Sequence, residues 1–192
     1  MIRVAVVGTS GAGKSTFASR LAASIGVAHI ELDAINWQAG WRGLETEDPV
    51  EFRRRVTAAI ASESWVSDGN YSEVRDVLLE RATHLVWLDY SRLVVMRRVV
   101  WRSLMRAVTR TELWPGTGNT ERFAQWFEKD HPIRWAWNTH ERRRREYARL
   151  LEASYLSEVQ AFHVRRPRDL PSVECELILQ GSECFRRTRN AS

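Results

Sequence analysis

The chain has 192 residues, 44% of them hydrophobic and 28% charged, with a formal net charge of +5. That length suits one domain with a sizeable core, and the composition excludes disordered, fibrous and disulfide-stapled classes. No apolar run approaches the roughly 20 residues needed to cross a bilayer, and Cys175 and Cys184 have neither disulfide-framework nor zinc spacing.

The first residues, MIRVAVVG, are too short for a signal-peptide apolar region, so a cytoplasmic protein without membrane contact is expected. In chain order, 2–7 (IRVAVV) reads as a buried strand feeding the glycine-rich stretch GTSGAGKST at 8–16. Residues 14–25 carry Phe17, Leu21 and Ile25 four apart and stop at Gly26, which predicts an amphipathic helix with a glycine terminator. A second strand over 28–32 delivers Asp33 at its carboxyl end. Asp48, Pro49 and Glu51 supply the cap, the first-turn proline and the N3 acid of a helix running to 62.

A third strand over 65–67 ends at Asp68-Gly69, Ser72 caps a helix over 73–81, and a fourth strand over 84–88 ends at Asp89. A long helix over 93–110 precedes a Pro/Gly loop at 112–121 (ELWPGTGNTE). Helices near 120–129 and 132–153, a last strand at 159–164 and a helix from 170 complete the chain. This alternation predicts an α/β fold of one domain over 1–192, a five-stranded parallel sheet flanked by helices in three layers. In open sheets of this kind, ligands sit at the carboxyl ends of the strands.

The stretch 8–16 satisfies G-x-x-x-x-G-K-[ST] through Gly8, Gly13, Lys14 and Ser15, with the strand before and the helix after that a phosphate-binding loop requires. Glycine lets the backbone from Gly8 through Thr9, Ser10, Gly11, Ala12 and Gly13 wrap an anion with its N–H groups. The helix starting near Lys14 adds its positive dipole end. Lys14 then suits β- and γ-phosphate oxygens, Ser15 suits Mg²⁺, and Thr16 packs or hydrogen-bonds at the helix start. ATP with Mg²⁺ is the expected ligand.

A second acidic group belongs near the metal. Asp68 is the first candidate, with Asp33 and Asp89 competing from neighbouring strand ends; helix capping is the competing role for each. Lys14 and Lys129 are the only lysines, so arginine carries nearly all the positive charge, clustered at 53–55, 97–98 and 142–145. Such clusters suit phosphate groups, and a solvated helix face is the competing reading for 53–55.

GTSGAGKST, then Leu32-Asp33, SDGNYS at 67–72, a strand ending Leu88-Asp89 and an arginine-rich helix together resemble the nucleoside monophosphate kinases. LDAINWQAGW, DGNYS, RTELWPGTGN and the W-x-W-N-T-H-E-R-R-R-R-x-Y run resemble a sub-branch, the topology modulation or adenylate-kinase-related P-loop proteins, over roughly residues 2–165. The resemblance implies a P-loop NTPase fold with an acceptor-binding helical insert at about 34–64 and a helical lid at about 103–131. It implies nucleotide-facing roles for Arg98 and Arg102, with Arg97 and Arg106 near enough on the helix to exchange with them. It also implies lid-side charge from Arg134 and from members of 142–145.

Adenylate kinases carry a monophosphate-gripping arginine four residues after the aspartate of D-G-F-P-R. Ser72 stands there in this chain, and Arg75 follows one turn later. The acceptor is expected to meet Asp33, Trp37, Trp41, Asn70, Tyr71 and Arg75, with the two tryptophans either packing in the core or stacking on a flat acceptor. Lys14, Asp33, Asp68, Arg102 and Arg134 form the expected catalytic set for moving the γ-phosphoryl group of ATP to a small acceptor, a nucleotide, nucleoside or related metabolite. The alternative is an ATP-binding or ATP-hydrolysing regulator that associates with nucleic acid. The arginine clusters favour it, and the lack of a helix-turn-helix, zinc-finger or RNP-type motif weighs against it.

Overall fold

The computed structural model describes residues 1–109, 112–120, 132–152 and 158–189. Strand β1 (Arg3–Gly8) leads through the glycine loop into helix α1 (Lys14–Ile25) and strand β2 (Ala28–Glu31). A compact insert follows, with α2 (Leu32–Asn36), the two-residue strands β3 (Trp37–Gln38) and β4 (Arg42–Gly43), α3 (Leu44–Glu47) and α4 (Pro49–Ala59). Then come β5 (Trp65–Asp68), α5 (Arg75–Arg81), β6 (His84–Leu88), α6 (Arg92–Thr109), α7 (Pro132–Leu151), β7 (Gln160–Val164) and α8 (Leu170–Arg189).

Five strands form one parallel sheet in the order β2-β5-β1-β6-β7, while β3 and β4 pair antiparallel by themselves. Strand β1 is central, and the chain leaves it in opposite directions toward β2 and β6. Its carboxyl end is therefore a topological switch point, where an open α/β sheet leaves a crevice. Pairing of Val6 with Asp68 and of Gly8 with Leu88 brings the ends of β5, β1 and β6 level around that crevice.

Alternation along the strands builds two apolar layers. Val4, Val6, Val86 and Leu88 face α1, α6 and α8, burying Phe17, Leu21, Val95, Val99 and Leu177. Ala5, Leu85 and Trp87 face the other way, onto Phe52, Val56, Leu78, Leu79, Tyr147 and Leu150 of α4, α5 and α7. Strand β6 is buried at all five positions, as expected for a parallel strand covered on both faces. Removing a fully buried Phe or Trp from such layers costs about 3–5 kcal/mol.

The predicted caps meet two outcomes. Asp48 accepts a hydrogen bond from the Glu51 amide at 3.0 Å, with Pro49 in the first turn, and Gly26 ends α1 in the left-handed conformation. Ser72 does not cap α5: residues 72–74 form a 3-10 turn, Val74 occupies the cap position, and the Ser72 hydroxyl bonds Glu73 instead. Strand β2 stops at Glu31, and the turn into α2 places Asp33 inside a helical first turn. The helix expected near 120–129 lies, beyond Thr120, outside the described residues, as does much of the lid expected at 103–131. Among the described residues no helix is long and apolar enough to cross a membrane.

Candidate active site

Three glycines of the loop, Gly8, Gly11 and Gly13, have φ values of 146°, 84° and 95°. A Cβ on Gly11 would run into the Val99 side chain of α6, so α6 can pack against the loop only because that atom is missing. Gly13 is the N-cap of α1, no side chain caps that end, and no acidic residue lies in the first turn. The amides at the start of α1 are left without a side-chain partner, the arrangement that receives an anion at a helix N-terminus.

One cavity of about 820 Å³ opens from this loop. Its near wall is Ser10 to Thr16, joined by Arg98, Arg102 and Arg106 from α6; its far wall includes Asp33, Trp37 and Trp41 from the insert. Arg98 donates to the Ala12 carbonyl at 2.9 Å and lies over the Tyr90 ring, and Arg102 reaches the Ser10 hydroxyl at 3.4 Å. Gly8 and Thr9 sit behind the wall, where the Thr9 carbonyl accepts from Lys14 Nζ at 3.3 Å and from the Ala12 amide at 3.1 Å. Burial holds the Lys14 ammonium below the ordinary lysine range; Asp33 and Asp68 oppose that shift, while Arg102 and Arg143 add to it.

The three competing aspartates separate clearly. Ser15 Oγ donates to Asp68 Oδ2 at 2.6 Å, and His29 Nε2 meets Asp68 Oδ1 at 2.7 Å. Asp68 is thus buried beneath Ser15 and outside the cavity lining. Asp33 does line the cavity, and its Oδ1 accepts from the Tyr71 hydroxyl at 2.6 Å. Burial, then the Asp33 charge and hydrogen bond, push the Tyr71 hydroxyl well above the usual tyrosine range, so it is held as a donor. Asp89 is committed elsewhere, to Arg144 at 3.0 Å and His163 at 2.8 Å.

The expected acceptor set divides in two. Trp37 and Trp41 stand in the cavity, whereas Asn70, Tyr71 and Arg75 line a small gap of about 20 Å³ behind β1. The Asn70 side chain grips Gly8 from both sides, donating to its carbonyl and accepting its amide at 3.4 Å. Tyr147 donates to Asn70 Oδ1 at 2.6 Å, and burial raises that phenol to about 12. Arg75 pairs with Glu146 at 2.7 Å and lies over the Tyr147 ring. Arg134 is exposed on α7 and is not among the cavity-lining residues described.

Asn70→Ala removes the clamp on Gly8 and leaves three polar partners to find water. It is expected to cost about 1–3 kcal/mol in urea denaturation and to weaken ATP binding by roughly tenfold, because the loop starts at Gly8. Unchanged stability and affinity would show the clamp to be incidental.

Five further residues surround the site; sequence reasoning singled out none of His29, Glu31, Trp114 and Tyr147, and Arg143 only as part of the 142–145 run. His29 backs Asp68, Arg143 is the inward-facing member of 142–145, and Tyr147 holds Asn70. Glu31 lines the cavity, and Trp114 completes a cluster with Trp37 and Trp41 at centroid distances of 5.8 to 6.1 Å. The clamp role of Asn70 is visible only with the strand order, which sets the end of β5 beside β1 and Gly8. Nothing local marks Trp114, whose loop meets the insert through Asn119, bonded to the Trp41 amide at 3.0 Å and the Gln38 carbonyl at 2.9 Å.

A scan of the sequence against protein-family models matches none, and no curated protein matches it. Solved structures do match. A gluconokinase from Sinorhizobium meliloti 1021 aligns over 100% of this chain and 97% of its own at 18% identity, with a TM-score of 0.51. A shikimate kinase from Bacteroides thetaiotaomicron aligns over 96% and 98% at 17% identity, with a TM-score of 0.52. An uncharacterized protein from Eubacterium ventriosum ATCC 27560 aligns over 95% and 99% at 10% identity, also with a TM-score of 0.52. The chain has the fold of P-loop kinases, a five-stranded parallel sheet flanked by helices.

Proposed function

We propose that this protein transfers the γ-phosphoryl group of ATP to a hydroxyl of a small acceptor. The observation that carries the reading is that one and the same cavity is lined by Ser10 to Thr16 and by Asp33. A loop for the triphosphate and a carboxylate for the incoming hydroxyl share one space, which phosphoryl transfer requires and nucleotide storage does not. The likeness in fold to a gluconokinase and a shikimate kinase agrees with it.

The loop amides and the start of α1 bind the phosphates, Lys14 meets the β- and γ-oxygens, and Arg98 and Arg102 reinforce the same wall. Arg102 and Arg143, both near enough to depress the Lys14 pKa, are the arginines assigned to charge forming on the transferring group. Arg134, being exposed, needs residues 103–131 to act as a lid before it could contribute. Asp33 accepts the acceptor hydroxyl's proton as its oxygen bonds to the γ-phosphorus; the bond from that phosphorus to the β-bridging oxygen breaks, and ADP leaves. Tyr71 fixes the Asp33 rotamer through its hydroxyl.

Mg²⁺ fits the hard oxygen donors of this corner, Ser15 Oγ with Asp68 behind it. Among the described residues no group of three His, Cys, Asp or Glu side chains is assembled for a metal, so the ion would depend on nucleotide oxygens and water. When bound, it supplies charge neutralisation between the phosphates.

The nucleic-acid reading loses part of its support, the 53–55 cluster, to ion pairs. Arg53 pairs with Asp76, and Arg54 and Arg55 share Glu51, so three cations there face two carboxylates. Asp33→Asn tests the proposal: turnover with acceptor is expected to fall about 10²–10⁴-fold, while ATP affinity stays within a factor of about three. A variant with full turnover would remove Asp33 from the reaction.

A further inference from the structure

The far wall of the cavity has a chemistry of its own. Its described contributors from the end of β2, the insert and the 112–120 loop are Glu31, Asp33, Trp37, Trp41, Leu113 and Trp114: two carboxylates, three indoles and, among the described residues, no cation. Among the described residues, the cavity's arginines come from α1 and α6. Arg20 is closed by a two-pronged pair with Glu174, and Arg98, Arg102 and Arg106 follow one face of α6 along the loop. Arg75 and Arg143 are both paired with Glu146, and Arg143 bears on Lys14, at the phosphate side of the cavity.

From this wall we infer that the acceptor is a polyhydroxylated compound without an anionic group, its C–H face against the tryptophan cluster and its hydroxyls toward Glu31 and Asp33. The inference rests on the phosphotransfer reading for which hydroxyl reacts, but not for what binds. An acceptor carboxylate or phosphate would face two acidic side chains with no described cation on that wall, a desolvated like-charge contact. Hydroxyls instead donate to carboxylate oxygens, which when ionised accept hydrogen bonds and have none to donate. Burial, followed by the charges of Asp68 and Asp33, already pushes the Glu31 carboxyl up, the mark of a dry corner where negative charge is costly.

The tryptophan geometry selects how a ligand lies. Trp37 and Trp114 are nearly parallel, 20° apart, with centroids 6.1 Å apart, and Trp41 meets both edge-on. A ring held between two faces needs about 7 Å, two contact distances, so nothing slots between this pair. The cluster presents its outer surface, suited to the apolar face of a saturated ring or to a cation over indole. Trp114 Nε1 donates to Glu31 at 3.4 Å, which ties the aromatic surface to the carboxylate beside it.

The test is equilibrium binding to the whole protein with Mg²⁺ and a non-hydrolysable ATP analogue. Ligands are hexoses, pentoses and inositols, each sugar beside its amino and acid counterparts (glucose, glucosamine and gluconate as one trio), followed by tryptophan fluorescence and calorimetry. Neutral or amino members should bind at least about tenfold tighter than the acids, and Trp114→Ala should weaken them by a further tenfold or so. Preference for the amino over the neutral member would identify an amino sugar. Glu31→Gln should weaken neutral ligands by about tenfold through the lost charge-assisted hydrogen bond and should strengthen the acids, erasing most of the preference. Acids binding as well as neutral members, or no member binding, would overturn the inference. A Glu31→Gln variant that changes only the Mg²⁺ requirement would also overturn it. Selective binding without phosphoryl transfer would instead sink the kinase reading and leave this one standing.

Discussion

Lys14→Ala is expected to reduce phosphoryl transfer by at least about 10²–10³-fold and to leave the fold intact. The loop turn is built by backbone: Ala12 N–H bonds the Thr9 carbonyl, Phe17 N–H bonds the Gly13 carbonyl, and the glycines supply the positive φ values. The lysine contributes one long hydrogen bond to Thr9 and a charge facing the cavity. Because burial lowers its pKa, the folded state holds the Lys14 proton less tightly than the unfolded chain does. The charged lysine therefore costs stability near neutral pH, and Lys14→Ala should melt at the same temperature or slightly higher there. As pH rises from the lowered pKa toward the ordinary lysine value, the unfolded chain binds more protons than the folded one. Wild type should then gain stability relative to the variant. Thermal melts at pH 7 and pH 10 beside a turnover assay check both halves; a folded variant with wild-type turnover would detach Lys14 from the chemistry.

Gly8→Ala is expected to be among the most damaging single-methyl changes in the chain. Gly8 has φ 146°, and a Cβ there would stand 2.6 Å from the Leu88 carbonyl oxygen and 3.2 Å from its Cβ. That oxygen belongs to the backbone of β6, paired in register with Gly8, and it cannot withdraw without opening the sheet beside the loop. Backbone strain and overpacking together are worth about 2–5 kcal/mol, which lowers the melting temperature by about 5–15 °C at this size. Gly26→Ala is the matched control. Gly26 is also left-handed, at φ 69°, but a Cβ there meets nothing within 4 Å, so only about 1–2 kcal/mol is at stake. Equal losses from the two substitutions would refute the close approach of β1 to β6.

Much of this arrangement was written locally. Four of the five strands are short runs whose ends carry glycine or acid, β7 running instead into Arg165-Arg166, and Gly26 and Asp48-Pro49 mark a helix stop and a helix start through their own conformational preferences. The glycine loop is legible for the same reason, because its function is carried by residues adjacent in sequence. Strand order is another matter. Only the insertion of β5 between β2 and β1 brings Asp68 under Ser15, 53 residues away, and so separates it from Asp33 and Asp89. Ser72 failed as a cap because the chain needs a 3-10 turn before α5, which carries Val74 into the core at 0% exposure.

Arg143 illustrates the limit on a helix. Four consecutive arginines cover every side, and only the packing of Tyr147 on α7 against the sheet decides that 143 turns inward. The tryptophans were ambiguous between packing and binding because they do both. Trp37, Trp41 and Trp114 brace one another across 77 residues of chain while their outer surface lines the cavity.

The most direct measurement follows the γ-phosphate. ATP labelled at that position is incubated with Mg²⁺, the purified protein and a pooled extract of small metabolites, and the products are separated by charge and mass. Phosphotransfer predicts label appearing in an organic product in step with ADP, with none formed by Lys14→Ala. Label found only as inorganic phosphate, at a rate indifferent to the extract, would contradict it.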